Sequence, residues 1–167
     1  MATKKYWIIM VAGLLVLAAA VLIVGLQVRE QQLAQEQAGT IKLIAAGQEY
    51  VIPFSRLDRD SFSGETVNGK GEAAVNEYRG IELSALLREN DINPDQVKGA
   101  VATAADQYSA EYTGDEIREA GKIFLVVQSN GKQIEGIDPG SAGVWMIPFR
   151  DPNGRRIIRN PARIEIK

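Results

Sequence analysis

The side chains able to do chemistry in this sequence are carboxylates, hydroxyls, lysines and arginines, because its 167 residues include neither cysteine nor histidine. Thiolate nucleophiles, zinc ribbons and iron-sulfur clusters are thereby excluded, as are triads built on an imidazole base. Two charged stretches remain. Asp106, Glu111, Asp115, Glu116 and Glu119, offset by Arg118, hold enough carboxylates for an acid and base pair. The plainer reading is a set of loop and helix-start residues, with Asp115 and Glu116 favoured by the helix dipole. Arg150, Arg155, Arg156, Arg159, Arg163 and Lys167 outnumber Asp151 and Glu165. Arginine forks suit phosphate or carboxylate, so this stretch is either an anion, acidic-partner or lipid-headgroup contact or a solvated face alternating with Ile157, Ile158, Ile164 and Ile166.

Three short patterns imitate known sites. Gly64 to Gly71 nearly spells a phosphate-binding loop, yet Gly71 stands where Ser or Thr would hold magnesium, and neither a hydrophobic strand nor a long helix flanks it. It reads as a polar surface loop. Asp58 and Asp60 open a calcium-loop pattern that fails at Phe62 and at Gly69, where the closing glutamate belongs. Ser63-Gly64-Glu65-Thr66 resembles the Ser-Gly-Ala-Thr sequence at which extracytoplasmic flavoproteins carry FMN on threonine, with Glu65 in place of Ala. Tyr108, Tyr112 and Trp145 lie in loop-like contexts, and Trp145, beside Asp138 to Gly143, is either core or pocket wall.

The elements that must position these residues begin with a membrane segment. Tyr6 to Leu26 contains no charged residue and no Asn, Gln, Ser or Thr, and follows Lys4 and Lys5. A helix of that length spans a bilayer core, and the flanking lysines place the N-terminus inside. Continuation of the apolar run beyond Ala18-Ala19-Ala20 favours an uncleaved anchor over a signal peptide. The expected organisation is a cytoplasmic N-terminus (1–5), a transmembrane anchor (6–28), a helical stalk (29–39) and an extracytoplasmic domain (40–167) of a single-pass bacterial membrane protein. All 21 acidic residues and all but two of the 19 basic ones lie in the last two parts, so the outer region is net acidic and no nucleic-acid partner is expected.

Beyond Thr40, IKLIAA and EYVIPF read as strands turning at Gly47-Gln48, followed by the loop 61–74 and a strand VNEYRG. IELSALLREN sets Leu83, Leu86 and Leu87 on one face of a short helix stopped near Asn90. VKGAVATAA, KIFLVVQSN and RIEIK read as strands, Asn130-Gly131 as a hairpin turn, and Thr113 as the cap of a helix TGDEIREA. Strands with inserted helices give an α+β class.

In order, Tyr78-Arg-Gly80-Ile-Glu-Leu83-Ser-Ala-Leu86-Leu87, Ala105-Asp106-Gln107-Tyr108-Ser109, Asn130-Gly131, Gly143-Val-Trp-Met-Ile-Pro148 and Ala162-Arg-Ile-Glu-Ile166 resemble the molybdopterin-binding domain of the sulfite-oxidase superfamily. The resemblance covers roughly residues 40 to 167. It implies a mixed, barrel-like β structure with short flanking helices and a cleft where the cofactor would lie. Catalytic members ligate molybdenum through a cysteine that would fall between Ser63 and Ala74, where this chain has none. Gln107 also replaces the usual glycine, and Trp145-Met146 stands where catalytic members place Pro-Leu-Arg.

The resulting expectation is a non-catalytic binding relative, with no catalytic or metal-ligating residue, taking a small anionic or heterocyclic ligand or a protein partner. Its site would comprise Ser63, Thr66 and Asn68 as hydrogen-bonding groups, the turn Asp106, Tyr108 and Ser109, and Trp145 with Arg150. The alternative is an accessory oxidoreductase component carrying a molybdopterin or flavin. In either case a membrane redox or transport complex is the expected setting.

Overall fold

Alternation in the first strand, β1 (Thr40–Ala45), buries Ile41, Leu43 and Ala45 and leaves Lys42 exposed. It turns back into β2 (Gln48–Pro53), pairing Ala45 with Gln48, so the turn residues are Ala46 and Gly47, one position before the expected pair. Both have positive φ, 50° and 79°, the backbone of a type I′ turn, whose twist matches that of the strands it joins. The computed structural model describes residues 39–67, 70–152 and 154–167. The expected anchor and stalk, up to residue 38, and Asn68 lie outside the described residues. Among the described residues no helix is long and apolar enough to cross a membrane.

The expected α+β class is corrected to a mostly β one: 51% of the described structure is strand and 14% helix. The largest difference is at 61–74, expected as a loop. It folds as β3 (Asp60–Val67) and the start of β4 (Ala73–Glu82), paired antiparallel from Asp60↔Gly80 to Val67↔Ala73. Phe62, Gly64 and Thr66 alternate with exposed Ser61, Ser63 and Glu65. With one large apolar residue on the inward face, the segment lacks the apolar period of two by which strands are recognised.

After β4 comes the short helix α1 (Leu83–Glu89), which buries Leu83, Leu86 and Leu87 as expected. The hairpin β5 (Gly99–Ala104) and β6 (Ser109–Thr113) follows, then a second short helix, α2 (Gly114–Arg118). Thr113 caps α2 through a full capping box with Glu116. The chain continues through β7 (Ile123–Ser129), β8 (Lys132–Gln133), β9 (Trp145–Pro148), β10 (Ile158–Arg159) and β11 (Pro161–Ile166). Tyr112 therefore sits in a strand and Trp145 begins one, where loops were expected.

The strands form two sheets, ordered β2-β1-β11-β5-β6 and β10-β9-β7-β4-β3, with β8 added to β7. Every pairing is antiparallel except β1 with β11. One apolar core draws on both sheets and α1, with Ile41, Leu43 and Ile164 from the first sheet and Ile81, Leu125 and Met146 from the second. The second sheet is covered on its other face too. There Tyr78, Val126, Ile147 and Phe149 pack with Phe62, Phe124, Trp145 and Ile157. Burial on both faces explains the unbroken apolar run in β7, since neither side of the pleat meets water.

Candidate functional site

A cleft of about 620 Å³ opens beside this second cluster, within the range that encloses small organic ligands. Its walls are the ends of β3 and β4, the start of β9, and the segment from Gly154 to Arg159. Val67, Ala73, Ile147 and Ile157 supply apolar surface. Of the neighbouring aromatic cluster Tyr78 lines the cleft, and it is held by ring packing: Phe62 lies 4.1 Å from Phe124 between ring centroids, and Phe149 meets both Phe124 and Tyr78 at 5.5 and 5.3 Å. Such tilted and edge contacts hold rings in one arrangement.

The polar lining combines three hydroxyls, an amide, a carboxylate and a guanidinium. Thr66, Tyr78 and Ser129 bring hydroxyls to the cleft. The Tyr78 hydroxyl accepts from Asn76 Nδ2 at 3.3 Å, and Asn76 Oδ1 in turn accepts from Asn130 Nδ2 at 2.8 Å. No described protein acceptor takes the protons of these three hydroxyls. The Arg159 guanidinium lies over the Trp145 ring, 5.2 Å from its centroid, and makes no ion pair among the described residues. Glu72 also lines the cleft and is engaged in an interaction of its own.

Of the residues expected from sequence, Thr66 and Trp145 are brought together here. Ser63 lies on the opposite face of β3, where its hydroxyl donates to Glu77 Oε1 at 2.5 Å across the hairpin. Asp106 caps its own turn, accepting from the Tyr108 backbone at 3.0 Å, and Ser109 is exposed at the start of β6. Tyr108 reaches toward the cleft without lining it: its hydroxyl donates to the Arg155 carbonyl. Arg150 points elsewhere, to Glu119 at 2.8 Å and the Ala120 carbonyl at 3.4 Å.

Arg159, Tyr78, Asn76 and Ser129 were not among the expected site residues. Arg159 belongs to the basic stretch already noted, and the structure separates that stretch by role. Arg163 pairs with Glu165 at 3.0 Å and Lys167 with Glu111 at 3.7 Å, both at the surface. Arg156 is committed inward, to Glu116 at 2.7 and 3.1 Å and to buried Asp151 at 3.0 and 3.3 Å. The Arg156 bonds hold the Glu116 carboxyl at about 2, against an ordinary 4.5, outweighing burial, with further help from the Thr113 backbone amide. The Arg156 pKa is pushed up by the same Glu116 bonds and then by those to Asp151.

This cluster supports the cleft wall. Tyr112 donates to the Arg156 carbonyl at 2.5 Å, and Tyr108 to that of Arg155, so the chain leading to Ile157 and Arg159 is fixed from the first sheet. Burial pushes the Tyr112 phenol upward, keeping it a protonated donor. On the other side Asn160 ties the corner between β10 and β11 to the loop before β9: its Oδ1 accepts from the Val144 amide at 3.0 Å and its Nδ2 donates to the Glu135 carbonyl at 3.3 Å.

The donor set does not fit a molybdenum centre held by protein thiolate. No thiol exists in the chain, and the segment between Ser63 and Ala74 offers hydroxyls, amides and carboxylates instead. Among the described residues no three Asp, Glu, His or Cys side chains gather as a metal site. What the arrangement can do is hold a small polar ligand whose negative group meets Arg159, since that guanidinium and three hydroxyls line a partly apolar cleft in which the Glu72 carboxylate is engaged in an interaction of its own.

No protein-family model matches the chain, and no curated protein matches it. Among solved structures it is similar to the sulfane dehydrogenase SoxCD from Paracoccus pantotrophus, with a TM-score of 0.58 at 15% identity. That likeness covers 79% of this chain and 38% of the other, so this chain corresponds to well under half of that protein. At such low identity the comparison establishes architecture alone. The described domain thus shares its fold with part of that sulfane dehydrogenase.

Proposed function

We propose that the domain is a non-catalytic binding module on this oxidoreductase-type fold, and that its cleft takes a small anionic ligand. The observation that carries the reading is a guanidinium without an ion-pair partner among the described residues, set beside hydroxyls with protons to give. Thr66, Tyr78 and Ser129 present hydroxyl protons without a described protein acceptor, beside an Arg159 that has no carboxylate partner among the described residues. Polar groups left facing a cleft in this way are satisfied by water or by ligand, and a bound anion satisfies them with charge-assisted bonds. Absence of cysteine and histidine favours binding over the alternative of electron transfer through a resident cofactor.

The setting we propose is the outer face of a bacterial membrane, with residues 6–28 as anchor and a membrane redox or transport complex as partner. Protease added to intact spheroplasts is then expected to digest the domain, whereas digestion only after lysis would refute that orientation.

Titration of the detergent-solubilised full-length protein with acetate, benzoate and inorganic phosphate tests the cleft. At least one is expected to bind, and Arg159→Gln should weaken it about tenfold, the loss of one charge-assisted bond. Equal binding by the parent and Arg159→Gln would refute the assignment. Cofactor release on denaturation, or an added flavin mass on Thr66, would instead establish the alternative of a cofactor-carrying component.

A further inference from the structure

The stacked pair Trp145 and Arg159 does more than supply a positive charge. Resting on the proposed anion cleft, we infer that this pair makes the site selective for flat, conjugated carboxylates, aromatic or heteroaromatic acids, over tetrahedral or aliphatic anions. The Arg159 guanidinium carbon lies 5.2 Å from the Trp145 ring centroid, so a fixed charge and a flat aromatic face border the same part of the cleft. A carboxylate taken bidentately by the guanidinium lies in its plane. If the acid is conjugated, its ring shares the plane of the carboxylate and is flat enough to lie against the indole face, whereas a saturated ring or a phosphate is not.

The surroundings agree with a flat occupant. Val67, Ile147 and Ile157 give the cleft apolar walls, which a polyanion such as phosphate would leave uncompensated. Thr66, Tyr78 and Ser129 add hydroxyls that can donate to the acceptors of a carboxylate or a heteroaromatic ring. Arg159 is itself held in register, because its strand β10 pairs Arg159 with Trp145 and Asn160 ties the following residue to Val144. The charge and the stacking surface thus come from directly paired residues of neighbouring strands.

The test uses the full-length protein in detergent with Trp7→Phe, leaving Trp145 as the single tryptophan of the two in the chain. Benzoate, cyclohexanecarboxylate and inorganic phosphate are titrated by calorimetry and by Trp145 fluorescence. Benzoate is expected to bind at least about tenfold more tightly than the other two and to change the Trp145 emission. Arg159→Lys, a point charge without a fork, should abolish that preference. Thr66→Val should weaken all three alike and keep the ratio, which separates loss of selectivity from loss of structure. Equal affinity for benzoate and cyclohexanecarboxylate, both lowered by Arg159→Gln, would overturn the selectivity while leaving the anion cleft standing. Failure of all three to bind would overturn both.

Discussion

Arg156 is the residue whose loss should be felt most. Removing it strands Asp151, which is 4% exposed, without its charge partner. Breaking a buried pair from one side costs about 3–5 kcal/mol, so Arg156→Ala should lower the denaturation midpoint sharply. Arg156→Lys should recover little, since one ammonium cannot serve two carboxylates with paired N–H groups. Glu116 gives a pH signature of the same cluster. Its folded pKa of about 2 lies below the ordinary 4.5. Its contribution, on the order of 3 kcal/mol, is therefore complete above the higher value and lost as pH falls toward the lower. Denaturant titrations of the parent and Glu116→Gln between neutral and acid pH should show stability falling in the parent over that window and a flatter dependence in the variant. The Thr113 and Glu116 capping box was readable from sequence because both members lie within one turn. The partner of Glu116 was not, because Arg156 arrives from 40 residues away. Gln107 shows a local cost: its φ of 69° lies in the left-handed region that glycine adopts without strain and a residue with a side chain does not. Gln107→Gly should leave the melting temperature unchanged or slightly raised.

At the scale of the strand, two close approaches determine what the second sheet tolerates. A Cβ on Gly80 would fall 2.2 Å from the Leu125 carbonyl oxygen, at the irregularity between Arg79 and Gly80 where β4 meets β7. A Cβ on Gly64 would meet the Phe149 ring at the same separation. Backbone cannot rotate aside as a ring can, so Gly80→Ala should be the more destabilising, by roughly 2–4 kcal/mol, with Gly64→Ala below it. Chemical denaturation of both variants ranks them. Asn160→Ala, which removes both bonds to the 135–144 loop, should cost about 1–3 kcal/mol and weaken anion binding, because it loosens the strand that carries Arg159. The strands β1, β5, β7 and β11 were legible as apolar runs. The cleft was only half legible: Trp145 and Thr66 stood out by residue type, but β3 was concealed by its polar outward face. Arg150 differs for another reason. Composition marks it as a free cation, whereas the fold places Glu119 beside it.

For the domain as a whole, likeness in fold to part of a sulfane dehydrogenase coexists with a chain that has no cysteine and a cleft bordered by Trp145 and Arg159. Likeness of architecture does not carry chemistry with it, because function resides in the site. The way the first sheet closes has a further consequence for biogenesis. β11 is inserted between β1 and β5, joined to β1 in parallel from Lys42↔Arg163 to Ala45↔Ile166 and to β5 antiparallel. It is also synthesised after every other described strand. Until the ribosome has delivered it, the β1-β2 and β5-β6 hairpins have no strand to join them, and each presents an open edge. The nascent domain must therefore wait through most of its own translation before its first sheet can form, a delay during which a chaperone has a natural hold on it.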